Sequence, residues 1–79
     1  MNLSITLHTT KVTDRVKEYA ERLRASLLAA HQSTPFADLD AVSEHLMRDR
    51  NPRLKVSTNE NGTKTEVSYN NERLLTIHG

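Results

Sequence analysis

The chain has no cysteine and no tryptophan, and only two glycines and two prolines in 79 residues. Without cysteine there can be no disulfide and no thiolate-held zinc. Small secreted domains commonly depend on such staples, so their absence favours a reducing compartment. The two glycines, Gly62 and Gly79, are too few and too far apart to build a phosphate-cradling loop. The only aromatic residues are Tyr19, Phe36 and Tyr69, a poor supply for a platform that stacks bases. Excess charge of one sign is also missing. Eleven Lys and Arg stand against ten Asp and Glu, a formal net charge of +1, whereas strong nucleic-acid binders are usually far more basic. No apolar run is long enough to span a bilayer. Met1 to His8 alternates apolar and polar residues, which is not the apolar core of a signal peptide. Asn2-Leu3-Ser4 and Asn61-Gly62-Thr63 match glycosylation sequons, but without a secretory signal they read as coincidence. The expected location is the cytoplasm of a microbe or of an infected microbial cell.

Length bounds what remains. A chain of 79 residues makes one domain, 1–79. Chains this short bury only roughly 60% of their unfolded surface, and a large internal cofactor pocket would consume much of the core. Surface recognition is therefore expected rather than chemistry in a deep pocket, with no cofactor.

The hydrophobic pattern gives the elements. Leu3, Ile5 and Leu7 alternate with Ser4, Thr6 and His8, as in a strand with one buried face. Thr9 to Val12 turns into a helix, with Thr13 as N-cap and Asp14 favourably placed in the first turn. Val16, Tyr19, Ala20, Leu23, Leu27 and Ala30 form a helical stripe that ends near His31 and Gln32. Ser33-Thr34-Pro35 breaks the chain. A second helix follows, capped by Thr34 or by Asp38, with Phe36, Leu39, Val42 and Leu46 on its apolar face and Met47 at the margin. Asn51-Pro52 is expected to stop it.

The rest reads as strand. Arg53 to Thr58 alternates, and Asn61-Gly62 is a strong signal for a two-residue type I′ hairpin loop. That loop pairs Thr58 with Thr65, Val56 with Val67 and Leu54 with Tyr69, so apolar meets apolar across the ladder. A second turn at Asn70-Asn71 needs a three-residue loop, Asn70 to Glu72, to pair Val67 with Leu75 and Thr65 with Ile77. That register leaves Leu74 on the outer face. The order β-α-α-β-β-β predicts an α+β domain: a mainly antiparallel sheet with both helices packed on one face. The first strand is expected to join this sheet through the helical crossover.

No constellation points to catalysis or to a metal. His8, His31, His45 and His78 include no i,i+4 pair and no HExxH pattern. His8 and His78 would approach each other if the first and last strands were neighbours, but a third ligand is not evident. Glu44 and His45 are sequence neighbours and point about 100° apart on a helix. Asp38, Asp40, Glu44 and Asp49 read as a solvated helix face. A non-enzymatic protein is expected.

Two surface features carry more weight. Arg48, Arg50, Arg53 and Lys55 cluster around the end of the second helix and the next strand, opposed only by Asp49. This cluster suits phosphates or an acidic protein surface. Its ordinary reading is compensation of the helix dipole and decoration of an exposed face. The second feature is the outer sheet face at the final strand, Arg73, Leu74, Thr76 and His78. If that strand is an edge, it invites pairing with another chain, a homodimer included. If the first strand covers it, it does not.

Two resemblances accompany these readings. Met1-Asn2-Leu3-Ser4-Ile5-Thr6, then Val12-Thr13-Asp14 and Tyr19, resembles the first strand and helix of ribosome hibernation-promoting factors, which implies binding to the small ribosomal subunit. That resemblance is confined to the N-terminal part of the chain. A second helix intervenes here, and that family's C-terminal helix and basic character are missing. The β-α-α-β-β-β order is similar to that of RelE-like ribonuclease toxins, which implies RNA cleavage with Arg53, Lys55, Tyr69 and His78 in the roles of that family's basic and aromatic residues.

The leading expectation is a small binding protein that regulates or inhibits a larger macromolecular partner, as phage and mobile-element inhibitors of host machinery do. An RNA- or ribosome-binding protein and a small structural or assembly subunit are the alternatives. No membrane partner is expected.

Overall fold

A computed structural model describes residues 2–48 and 50–79. Met1, at the start of the predicted first strand, and Asp49, the one acid expected among the basic cluster, lie outside the described residues. The elements run β1 (Ser4–Leu7), α1 (Asp14–Ser33), α2 (Leu39–Met47), β2 (Leu54–Thr58), β3 (Lys64–Tyr69) and β4 (Glu72–His78). This is the expected α+β order, with a four-stranded antiparallel sheet in the order β1-β4-β3-β2.

The helices begin where the sequence chemistry places them. The Thr13 side chain accepts from the Val16 N–H, and Asp38 Oδ1 accepts from the Ala41 N–H at 3.0 Å. Each side chain satisfies an amide that the first helical turn leaves unpaired. Asp38, not Thr34, therefore caps α2, and Phe36 packs against the core from the preceding loop. The α2 helix ends at Met47, earlier than the expected stop at Asn51-Pro52. Arg50 adopts a left-handed conformation, φ 48°, and its N–H bonds the Met47 carbonyl at 3.2 Å. A left-handed residue just past the last turn is a common way to terminate a helix. Pro52 lies beyond it, in the turn into β2.

Ala20, Leu23 and Leu27 of α1 and Leu39, Val42 and Leu46 of α2 meet Val67, Leu74, Leu75 and Ile77 in one core. A hydroxyl chain crosses its margin. Ser43 Oγ lies 2.8 Å from Thr58 Oγ1, which lies 2.9 Å from the buried Thr65 Oγ1. Thr65 thus keeps a partner inside the core, where an unpaired hydroxyl would be costly.

Both hairpins have the expected inner register but different turns. The first pairs Leu54 with Tyr69, Val56 with Val67 and Thr58 with Thr65. Its loop is longer than the two-residue type I′ turn: Asn59 N–H reaches the Lys64 carbonyl, Gly62 N–H reaches the Asn59 carbonyl, and within the loop only Gly62 has positive φ. A loop of Glu60 to Thr63 has the same centre as one of Asn61-Gly62, so the register is unchanged. The second hairpin reverses the expectation. Its loop is two residues, Asn70 and Asn71, both at positive φ, and Tyr69 pairs with Glu72. A bulge opposite Val67 and Ser68 then inserts Leu74 and restores the pairing of Val67 with Leu75. A bulge places consecutive side chains on the same face of a strand. Leu74, expected outside, is consequently 1% exposed beside the fully buried Leu75.

Candidate functional site

The sheet order relocates the open edges. The first strand pairs with the last, Ser4 opposite His78 and Leu7 opposite Leu75. Of the two alternatives for the final strand the structure has the covered one, so Arg73, Leu74, Thr76 and His78 lie on an interior strand. Leu74 is in the core, and Thr76 is 6% exposed with its hydroxyl 2.7 Å from His8 Nε2. On the same face Glu66 bonds Lys64 at 3.0 Å and Arg73 at 3.5 Å. The Lys64 hydrogen bond, against a smaller opposing effect of burial and helped by the charges of Arg73, Lys64 and His8, holds the Glu66 carboxyl below the usual glutamate range. His8 follows β1 and His78 ends the neighbouring β4, but the antiparallel register puts Ser4, not His8, opposite His78. Four residues of strand, about 13 Å of backbone, separate the two positions. Among the described residues no group of three His, Asp or Glu is arranged to hold a metal.

The open edges are β1 and β2. Which backbone groups of β2 face outward follows from the ladder. Asn59 N–H bonds the Lys64 carbonyl at one end, and Asn70 N–H bonds the Arg53 carbonyl at the other. Hydrogen-bonded and non-bonded pairs alternate along an antiparallel pair. Lys55 and Ser57 therefore direct their N–H and C=O groups at β3, while Leu54, Val56 and Thr58 direct theirs at the open edge. Leu54 N–H is already taken by the Asn51 carbonyl at 3.0 Å. The Leu54 carbonyl and both groups of Val56 and Thr58 remain.

An apolar cleft of about 280 Å³ borders this edge, lined by Leu46, Met47, Arg50, Pro52, Leu54 and Val56 together with Asn51. Met47 at the end of α2 is 62% exposed, the most exposed of the large apolar side chains among the described residues. Asn51 fastens the floor of this region. Its Oδ1 accepts from Arg53 N–H at 3.0 Å, and its Nδ2 donates to the Tyr19 hydroxyl at 3.4 Å.

The predicted basic residues surround this region without forming one cluster. Arg50 lines the cleft just described. Arg48 borders other clefts, with Ser26 and His45 and with Phe36 and Glu44. Arg53 is exposed where β2 begins, and Lys55 projects to the outer face, where its Nζ donates to Asn71 Oδ1 at 3.1 Å. The ion pairs among the described residues are those of Glu66 with Lys64 and Arg73, so none of these four cations is neutralised there. Tyr69 is on the core side, its ring 5.5 Å from that of Tyr19.

Sequence reasoning missed two features. One is β2 as an edge, since local pattern does not report strand order. The other is a ring cluster at the end of α1: Phe36 stacks on His31 at 5.7 Å and meets His45 edge-on at 5.6 Å. The Phe36 N–H donates to His31 Nδ1 at 3.0 Å, and His45 Nε2 lies 3.4 Å from Ser26 Oγ. Phe36 ties the loop between the helices to both. The spacing of His31 and Phe36 was the available signal. Comparison with known proteins finds no matching family, no matching curated protein and no matching solved structure.

Proposed function

We propose that this chain is a small non-enzymatic binding protein that regulates or inhibits a larger protein partner, docking through β2 and the end of α2. One observation carries the reading: an unpaired strand edge lies directly beside an apolar cleft with an exposed methionine. An edge offers backbone hydrogen bonds to another chain, and alternate side-chain sites give that pairing specificity. Natural sheets usually shield such an edge. Here Pro52 and Lys55 shield it only in part, since Pro52 precedes the strand and Lys55 points to the outer face. No helix among the described residues is long and apolar enough to cross a membrane.

The test is an affinity capture from a microbial lysate, divided into nuclease-treated and untreated halves, with the native chain and a Met47→Asp variant. A defined protein captured in both halves by the native chain and lost with the variant is the expected result. Met47 is exposed, so the variant should still fold, with only the small penalty of an acid at a helix C-terminus, about 0.3–1 kcal/mol, to lower its melting temperature. Partners that disappear on nuclease treatment would overturn the reading in favour of RNA or ribosome binding.

A further inference from the structure

The side chains along the β2 edge describe the segment that would occupy it, and this step rests on the docking reading above. We infer that the occupant is an extended segment of a partner protein, added as a fifth strand at β2, in which apolar and acidic residues alternate.

Alternation follows from the pleat. Side chains opposite one another across a pair of strands share a face. Residues of the added strand opposite Leu54, Val56 and Thr58 therefore face the helical side, over the cleft of Met47, Pro52, Leu54 and Val56. That position rewards apolar side chains, since they cover apolar surface now left to water. Residues opposite Lys55 and Ser57 face the outer side, near Lys55 and Arg53. Lys55 is hydrogen-bonded to a neutral amide, and the nearby carboxylate of Glu66 is already bound by Lys64 and Arg73. The uncompensated charge along this side is positive, and an acidic residue answers it.

The same charges disfavour a second copy of the chain. Antiparallel pairing of β2 with another β2 about Val56 sets the two Lys55 side chains diagonally across from each other on one face, and like charges there are repelled. The other edge is a weaker candidate. His8 N–H bonds the Leu74 carbonyl, so Ile5 and Leu7 direct their backbone groups outward. The β1 strand is shorter, however, four residues against the five of β2. It serves as an internal control.

The probe is a short synthetic peptide of alternating valine and glutamate, titrated into the ¹⁵N-labelled chain and followed by amide NMR. The Val56 and Thr58 amides are expected to shift and to gain protection from exchange. A valine–lysine peptide and a glycine–glutamate peptide should each bind at least about tenfold more weakly. Met47→Asp should weaken the valine–glutamate peptide to a similar degree. Arg53→Glu with Lys55→Glu should reverse the preference towards the valine–lysine peptide. Val56→Pro removes an outward N–H without touching the β3 ladder and should abolish binding; if that variant fails to fold, Met47→Asp carries the test. Equal affinity for the acidic and basic peptides, shifts confined to Ile5 and Leu7, or no binding would overturn the inference. Protection of Val56 that grows with protein concentration alone would overturn it in favour of a second copy. If a captured partner still depends on Met47 while the peptide does not bind, only the chemistry assigned to the occupant fails and the docking reading stands.

Discussion

Arg50, Asn70 and Asn71 hold positive φ angles of 48°, 51° and 69°, and Gly62 holds 67°. These conformations differ in cost. Glycine adopts them freely and asparagine tolerates them, but an arginine in the left-handed region carries a steric penalty. Arg50→Gly is therefore expected to stabilise the fold by about 0.5–1 kcal/mol, even though Arg50 lines the proposed docking cleft. Gly62→Ala is the opposite case. A Cβ there meets nothing within 4 Å, so its cost, about 1 kcal/mol, comes from backbone conformation alone. Thermal unfolding reads both changes, since 1 kcal/mol moves the midpoint of a domain this size by about 4–8 °C. A lower midpoint for Arg50→Gly would show that its side chain contributes more than its backbone costs. Residue-level signals were legible where a side chain acts on its own backbone: Thr13 and Asp38 cap the helices as their chemistry directs. They were less legible at Asn61-Gly62, where the dipeptide fixed the centre of the loop but not its length, because Asn59 contributes its own side chain to close it. Asn59 Oδ1 accepts from the N–H groups of both Thr63 and Lys64.

The second hairpin shows how two local devices combine. The Asn70-Asn71 turn closes Tyr69 onto Glu72, and continued without interruption that register would turn Leu75 and Ile77 away from the core. The bulge at Leu74 corrects the phase by one residue. The conflict is visible in the pattern, but turn length alone assigns the extra residue to the loop, since a bulge inside a strand leaves no local signature there. The pairing of Val67 with Leu75 was legible for that reason, and the burial of Leu74 was not. The error has a measurable consequence. An exposed leucine can be truncated at a cost within about 0.5 kcal/mol. Leu74 is 1% exposed, and Leu74→Ala is expected to cost about 2–4 kcal/mol through lost burial and a residual cavity. In a small domain with total stability of about 5 kcal/mol, that loss consumes most of the margin. Urea unfolding is expected to show a large fall in midpoint at nearly constant slope. A midpoint close to that of the native chain would place Leu74 outside the core after all.

At the scale of the molecule, one fact decides which surface is available: β1 crosses the sheet by way of two helices and pairs with β4. That pairing joins the two ends of the sequence, so no local window contains it. The helical stripe, the strand alternation and the hairpin centres each sit within a few residues of one another and were readable. The strand order depends on which edge the crossover chooses, and it moved the candidate docking surface from β4 to β2. Hydrogen exchange tests this arrangement directly, because edge strands differ from interior strands in a way that alternates by residue. In β3 and β4 both sides of each strand are bonded, so Val67, Leu75 and Ile77 should exchange slowly as a block, with the highest opening energies in the domain. In β2, Lys55 and Ser57 bond inward while Val56 and Thr58 face water. In β1, Thr6 bonds inward while Ile5 and Leu7 face water. The expected profile is slow and fast amides in strict alternation along both edges, with uniformly slow ones between them. Uniform protection along β2 in the isolated chain would mean that the edge is already occupied, by a second copy or by an element of the chain itself, and the surface proposed for a partner would be closed. Alternation along β2 that becomes uniform only when the acidic peptide is added would tie the architecture of the sheet to its use.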